Sequence, residues 1–388
     1  MKGSVTPFAG CHVFFAIEEI MPPATPHLLV SLTAHGFGHA AMTAPVVNDL
    51  RRRLPDLNVT LQSDHPAEWL ATRFEGPFRH IPGPGDAGLR MASATRILLE
   101  ESAELYRDGH RDFARRVSDL SDLYRDLRAD LLFANIPYVA LAAAARIGLP
   151  AVAMSCLNWA DLYGHYFSDR PEAAGIEAAM LDAYRSASVF LCPAPSMPMP
   201  RLANARPIGP IAPQGTAERA EVRRRIGLRE GERLGLIAFG GVDPCLDAGR
   251  WARLPGWFWL TNGDRAGRPD MIALTTGDVG FTDLMKAADV VVTKPGYGTF
   301  TEAAVNGTPV LYLPRPDWPE SEGLIRWLDA EGRCRAISLQ DLYDGDRLNK
   351  QLQLLFSSSV KPLVSPTGVE DAVREILPRL SGGARLHK

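Results

Sequence analysis

From residue 27 onward, short uninterrupted apolar runs alternate with stretches whose apolar positions recur every three or four residues. His27–Leu32 reads as a buried strand. Ala40–Leu54 follows with helical spacing: Val46, Val47, Leu50 and Leu54 share a face, and Arg51–Arg53 turn to solvent. The same beat predicts strands at Asn58–Gln62, Phe78–Ile81, Leu131–Ala134, Ala151–Ser155 and Val189–Cys192. Helices are predicted at Pro66–Phe74, Pro137–Ile147 and, as one long charged segment, Arg90–Leu127, with Pro82–Gly88 as a Pro/Gly loop. Strands alternating with helices in this way predict a parallel, doubly wound sheet.

Residues 193–213 interrupt the beat with seven prolines and read as an interdomain linker. The beat then restarts, with strands expected at Leu234–Phe239, Phe258–Thr261, Met271–Leu274, Val290–Thr293, Val310–Leu313 and Arg335–Ile337. Gly368–Leu377 is an amphipathic helix with Thr367 and Glu370 at capping-box spacing and Pro378 beyond its end. Residues 382–388 are expected to fray. The domains expected are an extension at 1–26, an α/β domain at 27–205, a second at 206–365, and a C-terminal helix and tail at 366–388.

Composition narrows the picture. A chain of 388 residues with 46% hydrophobic and 22% charged residues can bury two cores unaided. The net charge of −3 supplies no basic field for nucleic acid. The five cysteines, Cys11, Cys156, Cys192, Cys245 and Cys334, are scattered without a CxxC pair. That argues against a disulfide framework and a cysteine-rich zinc site, and makes a reducing cytoplasm the expected home. No run reaches the ~20 apolar residues of a spanning helix, which leaves only peripheral contact with a membrane. The apolar run Cys11–Ile17 is short and runs straight into Glu18 and Glu19, so it makes a poor signal peptide. Residues 1–26 are expected to be an extension outside the fold, with Met21 as a candidate start.

Candidate chemistry lies at the strand ends, where open α/β sheets bind ligands. After the first strand comes Thr33-Ala34-His35-Gly36-Phe37-Gly38-His39. Gly36 and Gly38 permit a tight turn and close approach of a ligand, and His35 and His39 flank them. This is not a dinucleotide fingerprint. After Val290–Thr293 comes Lys294-Pro295-Gly296-Tyr297-Gly298-Thr299, followed by a helix expected over Phe300–Asn306 with Thr299 or Thr301 as its cap. The loop offers amides, a hydroxyl and an ammonium to a phosphate. Glu302, one turn in, either accepts ribose hydroxyls or stabilises its helix. Phe239-Gly240-Gly241 could admit a pyrophosphate. Arg315–Glu322 forms a charged loop whose Glu320 and Glu322 could bind sugar hydroxyls. Asn158-Trp159-Ala160-Asp161 could present an aromatic face to a sugar, although a buried tryptophan is the commoner case.

Gly296, Tyr297, Thr299, Glu302, Gly307 and Pro309 fall on a pattern that resembles the nucleotide-sugar segment of GT-B glycosyltransferases. More narrowly, the chain resembles the glycosyltransferase-like N-terminal part of plant L-arabinokinases and its stand-alone bacterial relatives. That match runs through His35–His39, Ala129-Asp130-Leu131, Trp159, Asp161, Phe239–Gly241, Lys294–Glu302 and Arg315–Glu322. The resemblance implies two facing Rossmann-like domains, a donor such as a UDP-sugar held mainly by the second, and a C-terminal helix that crosses back to the first. It does not carry over the kinase activity of the long plant proteins. Two departures stand out: Lys294 occupies the place of a phosphate-contacting histidine, and Ala40, Ala41 and Met42 stand where a basic residue often follows the glycine-histidine motif.

The expected activity is sugar transfer from a nucleotide-sugar, UDP-linked, to an unidentified acceptor, without a metal or other cofactor, since the resemblance implies a site with no dedicated carboxylate pair for a metal. His39 is expected as general base with His35 as the alternative. Lys294, Thr299 and the loop amides would stabilise the leaving phosphate. Donor contacts are expected from Gly240, Gly241, Lys294, Gly296, Tyr297, Gly298, Thr299, Glu302, Glu320 and Glu322, and acceptor contacts from Gly36, Gly38, Asn158, Trp159 and Asp161. The rival readings are a nucleotide-sugar hydrolase or 2-epimerase, and a catalytically silent binding protein.

Overall fold

The computed structural model describes residues 25–86, 88–93, 96–239, 246–261, 267–273 and 279–383. The expected extension at 1–26, apart from its last two residues, lies outside them, as do Gly240 and Gly241. The first half contains β1 (His27–Leu32), α1 (Gly38–Arg53), β2 (Asn58–Gln62), α2 (Ala67–Ala71), β3 (Arg79–Ile81), β4 (Met91–Ser93), β5 (Arg96–Ile97), α3 (Leu99–Arg111), α4 (Phe113–Leu127), β6 (Leu131–Asn135), α5 (Tyr138–Ile147), β7 (Ala151–Met154), α6 (Trp159–Phe167), α7 (Ala173–Arg185), β8 (Val189–Pro193) and β9 (Ala205–Ile208). The second contains α8 (Arg219–Arg225), β10 (Arg233–Ile237), β11 (Trp257–Thr261), β12 (Met271–Ala273), α9 (Phe281–Ala287), β13 (Val290–Thr293), α10 (Tyr297–Asn306), β14 (Val310–Tyr312), α11 (Glu320–Glu331), β15 (Cys334–Ala336), α12 (Leu339–Leu342), α13 (Gly345–Ser357) and α14 (Gly368–Gly383).

Two parallel sheets result, ordered β3-β2-β1-β6-β7-β8-β9 and β12-β11-β10-β13-β14-β15. Helices cover both faces of each, so the strands are buried on both sides and read as continuous apolar runs. In each sheet the first strand lies between the second and a strand reached by a long crossover. These reversals of strand order, β1 beside β6 and β10 beside β13, are where such sheets open a crevice for ligands.

One device recurs in both halves. Asp130, just before β6, accepts the backbone N–H of His27 at 2.7 Å. Asp289, just before β13, accepts that of Leu234 at 2.7 Å. Each carboxylate satisfies an orphan donor at the start of the central strand and pins it to the crossover strand. Asp289 also pairs with Arg219, Arg223 and Arg233. Against burial, the Leu234 N–H bond, Arg219 and Arg223 hold its carboxyl below the usual range.

Several elements differ from the sequence reading. The linker contributes β9, which joins the first sheet, so the expected boundary after residue 205 cuts a strand. The segment 90–127 is a short hairpin, β4–β5, and two helices broken at Asp112. α1 and α10 begin at Gly38 and Tyr297, ahead of the expected Ala40 and Phe300. α14 runs through Pro378, because its apolar stripe of Ala372, Val373, Ile376 and Leu380 stays buried on both sides of that residue.

α14 packs on α1 and against β6 and β9, so the C-terminus straps the second half to the first. Glu370 pairs with Arg53 and Glu375 with Arg206, and Asp371 accepts the Gly209 N–H at 3.0 Å. The strap starts tightly: a Cβ at Gly368 would strike the Gly209 and Pro210 carbonyls and Ile211. Gly368→Ala should therefore lower stability by about 1–3 kcal/mol through overpacking. Chemical denaturation checks this, and an unchanged midpoint would show that the strap slides to make room.

Candidate active site

The loop after β13 meets α10 at Gly296, whose extended backbone forms the N-cap without any side-chain cap. Neither threonine caps the helix as expected. Thr301 Oγ1 instead donates back to the carbonyls of Tyr297 and Gly298, at 2.8 and 3.0 Å. The first-turn amides are thus left for an anion, assisted by the helix dipole. An ideal Cβ on Gly298 would meet nothing within 4 Å, so the loop borders open space. Lys294 leads into this turn, and a Cβ on Gly296 would lie 3.3 Å from its Nζ. Burial and then the nearby Arg315 lower the Lys294 ammonium to about 8, against the opposing pull of Glu320.

Glu302 lies in the second turn of α10, not the first, so the dipole-stabilising role does not describe it. Its Oε2 is buried without a hydrogen-bond partner, and burial raises its carboxyl to about 7 against the attraction of Arg73 from the first half. A buried carboxylate oxygen without a donor is costly and calls for one from outside. Tyr297 does something else: its hydroxyl accepts the Ile211 N–H at 2.9 Å, which ties α10 to the interdomain segment and turns the phenol away from a donor.

Across the seam, the loop after β1 turns at Gly36, whose φ of 76° favours glycine. His39 is then carried in the first turn of α1. Its Nδ1 lies 2.9 Å from Oδ1 of Asn135, the last residue of β6. The Asn135 amide nitrogen donates to Thr43 Oγ1 at 3.0 Å and to the His39 carbonyl at 3.3 Å, which fixes its orientation. With the amide oxygen facing Nδ1, His39 carries its proton there and leaves Nε2 as the basic nitrogen. Burial lowers the imidazole to about 4, opposed by the Asn135 bond. Asn135 is a site residue that the sequence reading missed, because it ends an apolar strand with nothing around it to mark it as polar machinery.

His35 is lowered to about 4 by burial and then by the charges of His39, Arg315 and Lys294, which places it at the meeting of the two halves. Phe37 remains 46% exposed and stacks on His65 and Trp69, forming an open aromatic wall beside the glycine turn. Trp159 is fully buried, edge-on to His35 with ring centroids 5.1 Å apart. It therefore backs the histidines and presents no face to a sugar. Asn158 is buried as the N-cap of α6, accepting from the Asp161 N–H at 2.8 Å, while Asp161 pairs with Arg201. The expected acceptor set Asn158-Trp159-Asp161 is thus a capping and packing motif.

The charged loop after β14 closes against the first half. Glu320 is buried and accepts from Trp318 Nε1 at 3.0 Å and from the Cys156 thiol at 3.1 Å. Both of its oxygens are engaged, so it braces the seam and is not a free sugar contact. Glu322 is exposed and pairs with Arg326 one turn along α11. Tyr166 donates to the Asp317 carbonyl. Among the described residues, no group of three or more His, Cys, Asp or Glu side chains could hold a metal ion, and no helix is long and apolar enough to cross a membrane.

No family model matches the chain. A curated relative, L-arabinokinase from Arabidopsis thaliana, is 24% identical over 359 residues, and the match covers 84% of this chain. The chain spans about a third, 34%, of that relative's length. Among solved structures, the calicheamicin glycosyltransferase CalG4 matches with a TM-score of 0.59 at 15% identity, covering 93% of this chain and 95% of that one. A UDP-glucosyltransferase from Polygonum tinctorium matches with a TM-score of 0.57 at 13% identity, over 93% and 99% of the two chains. The glycosyltransferase VinC, solved in complex with dTDP, gives 0.56 at 18% identity, over 92% and 99%. Two parallel sheets facing each other, with an α-helix returning from the second to the first, give this chain the GT-B fold.

Proposed function

We propose that this protein is a glycosyltransferase that moves a sugar from a nucleotide-sugar, UDP-linked, to an acceptor held by the first half, without a metal. One observation carries the reading: the switch-point loops of the two sheets converge, with His39 Nε2 unprotonated on one side and Lys294 at an uncapped helix N-terminus on the other. The donor diphosphate would lie on the amides of α10 and on Lys294. Glu302 would accept the ribose hydroxyls that its buried oxygen lacks. In the reaction the bond between the sugar anomeric carbon and the phosphate oxygen breaks, and its electron pair leaves with the nucleotide. The acceptor oxygen forms the new bond, and its proton passes to His39 Nε2. Lys294 and the helix N-terminus stabilise the charge that develops on the leaving phosphate.

A second reading, hydrolysis or 2-epimerisation of the same donor, draws on Asn135. A neutral amide orients His39 but favours the imidazolium too weakly to offset burial, and it carries no charge to balance the one a general base must gain. Either reaction uses the same donor grip without a sugar acceptor.

Binding of UDP should raise the melting temperature. The gain is about 2.7 kcal/mol at a hundredfold excess over Kd. Melts with UDP, GDP, ADP and dTDP identify the base, and no shift with any of them at millimolar concentration sinks the donor assignment. Glu302→Gln should weaken nucleotide binding by roughly 1.5–3 kcal/mol with folding nearly intact. Calorimetry that finds equal affinity would return Glu302 to a purely structural role.

The two sides of the cleft should separate by mutation. His39→Ala should bind UDP normally and lose about 10²–10⁴-fold in turnover. Lys294→Ala should lose both nucleotide affinity and turnover. Loss of UDP affinity in His39→Ala would make the Gly36–His39 turn a second phosphate clamp.

The pH profile tests the same assignment. Glu302 takes up a proton as the pH falls through about 7, which should weaken its grip on the ribose; His39 must be neutral, so kcat/KM should fall further as the pH drops through about 4. Lys294 must be charged, so kcat/KM should fall as the pH rises through about 8. Asn135→Asp places a carboxylate on His39 Nδ1, favours the imidazolium and should move the acid limb upward. An unmoved acid limb in that variant would assign it to another group.

A further inference from the structure

Arg315 is an arginine without an acid to pair with. It is 7% exposed, and its guanidinium lies over the Trp318 ring at 3.9 Å from the centroid. Its Nε is buried without a hydrogen-bond partner, and its Nη2 reaches only the sulfur of Met91, at 3.9 Å. Glu320 is close enough to influence it, but both carboxylate oxygens are committed to Trp318 and Cys156. A buried guanidinium is costly unless its donors are met, and its planar fork matches a carboxylate best.

Its position separates it from the diphosphate grip. Lys294 follows β13 and leads into α10, whereas Arg315 follows β14, the neighbouring strand paired in register through Thr293 and Tyr312. Neighbouring strands lie about 5 Å apart, which is close to the width of a pyranose ring. Arg315 is also the cation turned toward the first half: it touches Met91 of the β4–β5 hairpin, and the loop that carries it is held by Tyr166 and Cys156. Arg315 and Lys294 both act on His35 across the seam, so a sugar held between α10 and the first half would have Arg315 beside it.

We propose that Arg315 receives a carboxylate carried by the transferred sugar, so that the donor is a nucleotide-linked uronic acid. The inference rests on the reading of the cleft as a nucleotide-sugar site and names the substrate class of that site. Trp318 supports the guanidinium plane from one face, and the unmet Nε–H together with the fork supply the donors.

The test is calorimetric titration of the full chain with UDP, UDP-glucose, UDP-galactose, UDP-glucuronate and UDP-galacturonate, repeated on Arg315→Gln. The wild type should prefer at least one acidic sugar over its neutral counterpart by roughly ten- to a hundredfold, the range of a charged hydrogen-bonded contact. Arg315→Gln should erase that preference and leave the affinity for UDP unchanged. The wild-type comparison stands by itself should the variant fail to fold. Binding of UDP with no preference between acidic and neutral sugars overturns the proposal while leaving the nucleotide-sugar reading intact. An equal loss of affinity for UDP itself in Arg315→Gln makes Arg315 a diphosphate clamp and also overturns it. If neither UDP nor any of the four sugars binds, the reading of the cleft falls and the proposal with it.

Discussion

Positive charge is buried in the seam between the two halves without a carboxylate bonded to it. Lys294 and Arg315 come from adjacent strand ends; after burial, Arg315 lowers Lys294, and both lower His35 opposite. Glu320, the acid beside them among the described residues, spends both oxygens on neutral donors. Such an arrangement costs folding free energy unless an anion arrives. The stability it forgoes is available as binding energy, and it is localised where β13 and β14 end.

The rest of the architecture serves to hold that seam. Asp130 and Asp289 pin the central strand of each sheet to the crossover strand, which fixes where the two crevices open. The crevices then have to face each other; α1 packs directly on α10, and two further ties flank that contact. α14 returns from the second half to α1, and the β14–α11 loop presses Glu320 against Cys156 and Asp317 against Tyr166. The first of these is apolar at its centre. The second lies within the cleft and is made of single hydrogen bonds.

Much of the fold was legible because buried parallel strands write themselves as apolar runs, and all twelve strands expected from the sequence are present. What the pattern hid is instructive. β9 is half exposed and contains Pro207, so it looked like linker. Glu320 follows Pro314, Pro316 and Pro319 and looked like loop, yet Pro319 stands at the N-cap of a helix that buries it. Asn158 and Asp161 have the spacing of a helix cap, and reading them with Trp159 as a sugar platform gave an aromatic residue a role that its full burial rules out. Within the site, Lys294, Glu302 and His39 could be picked out because loop, spacing and residue type coincide. Asn135 could not, and Arg315 stood out only as the first residue of a charged loop. One is defined by a partner 96 positions away, the other by lacking an oxygen partner altogether, and neither property exists in one dimension.

The pairing of His39 with Asn135 also bears on where catalytic power would come from. A carboxylate on Nδ1 would raise the basicity of the imidazole and neutralise the charge it gains. An amide raises the basicity only in part and carries no charge to neutralise the imidazolium, and burial outweighs it. Such a nitrogen is unprotonated at neutral pH but a weak base, so it takes up a proton readily only once the acceptor oxygen has begun to lose electron density to the sugar. On the proposed reaction, bond breaking at the phosphate then has to run ahead of proton transfer. The groups that favour early departure are on the opposite wall: the Lys294 ammonium, held partly desolvated, and the uncapped amides of α10. A mildly basic histidine and a strongly electropositive leaving-group pocket are therefore complementary halves of one mechanism, in which electrostatic stabilisation of the departing nucleotide carries the larger share.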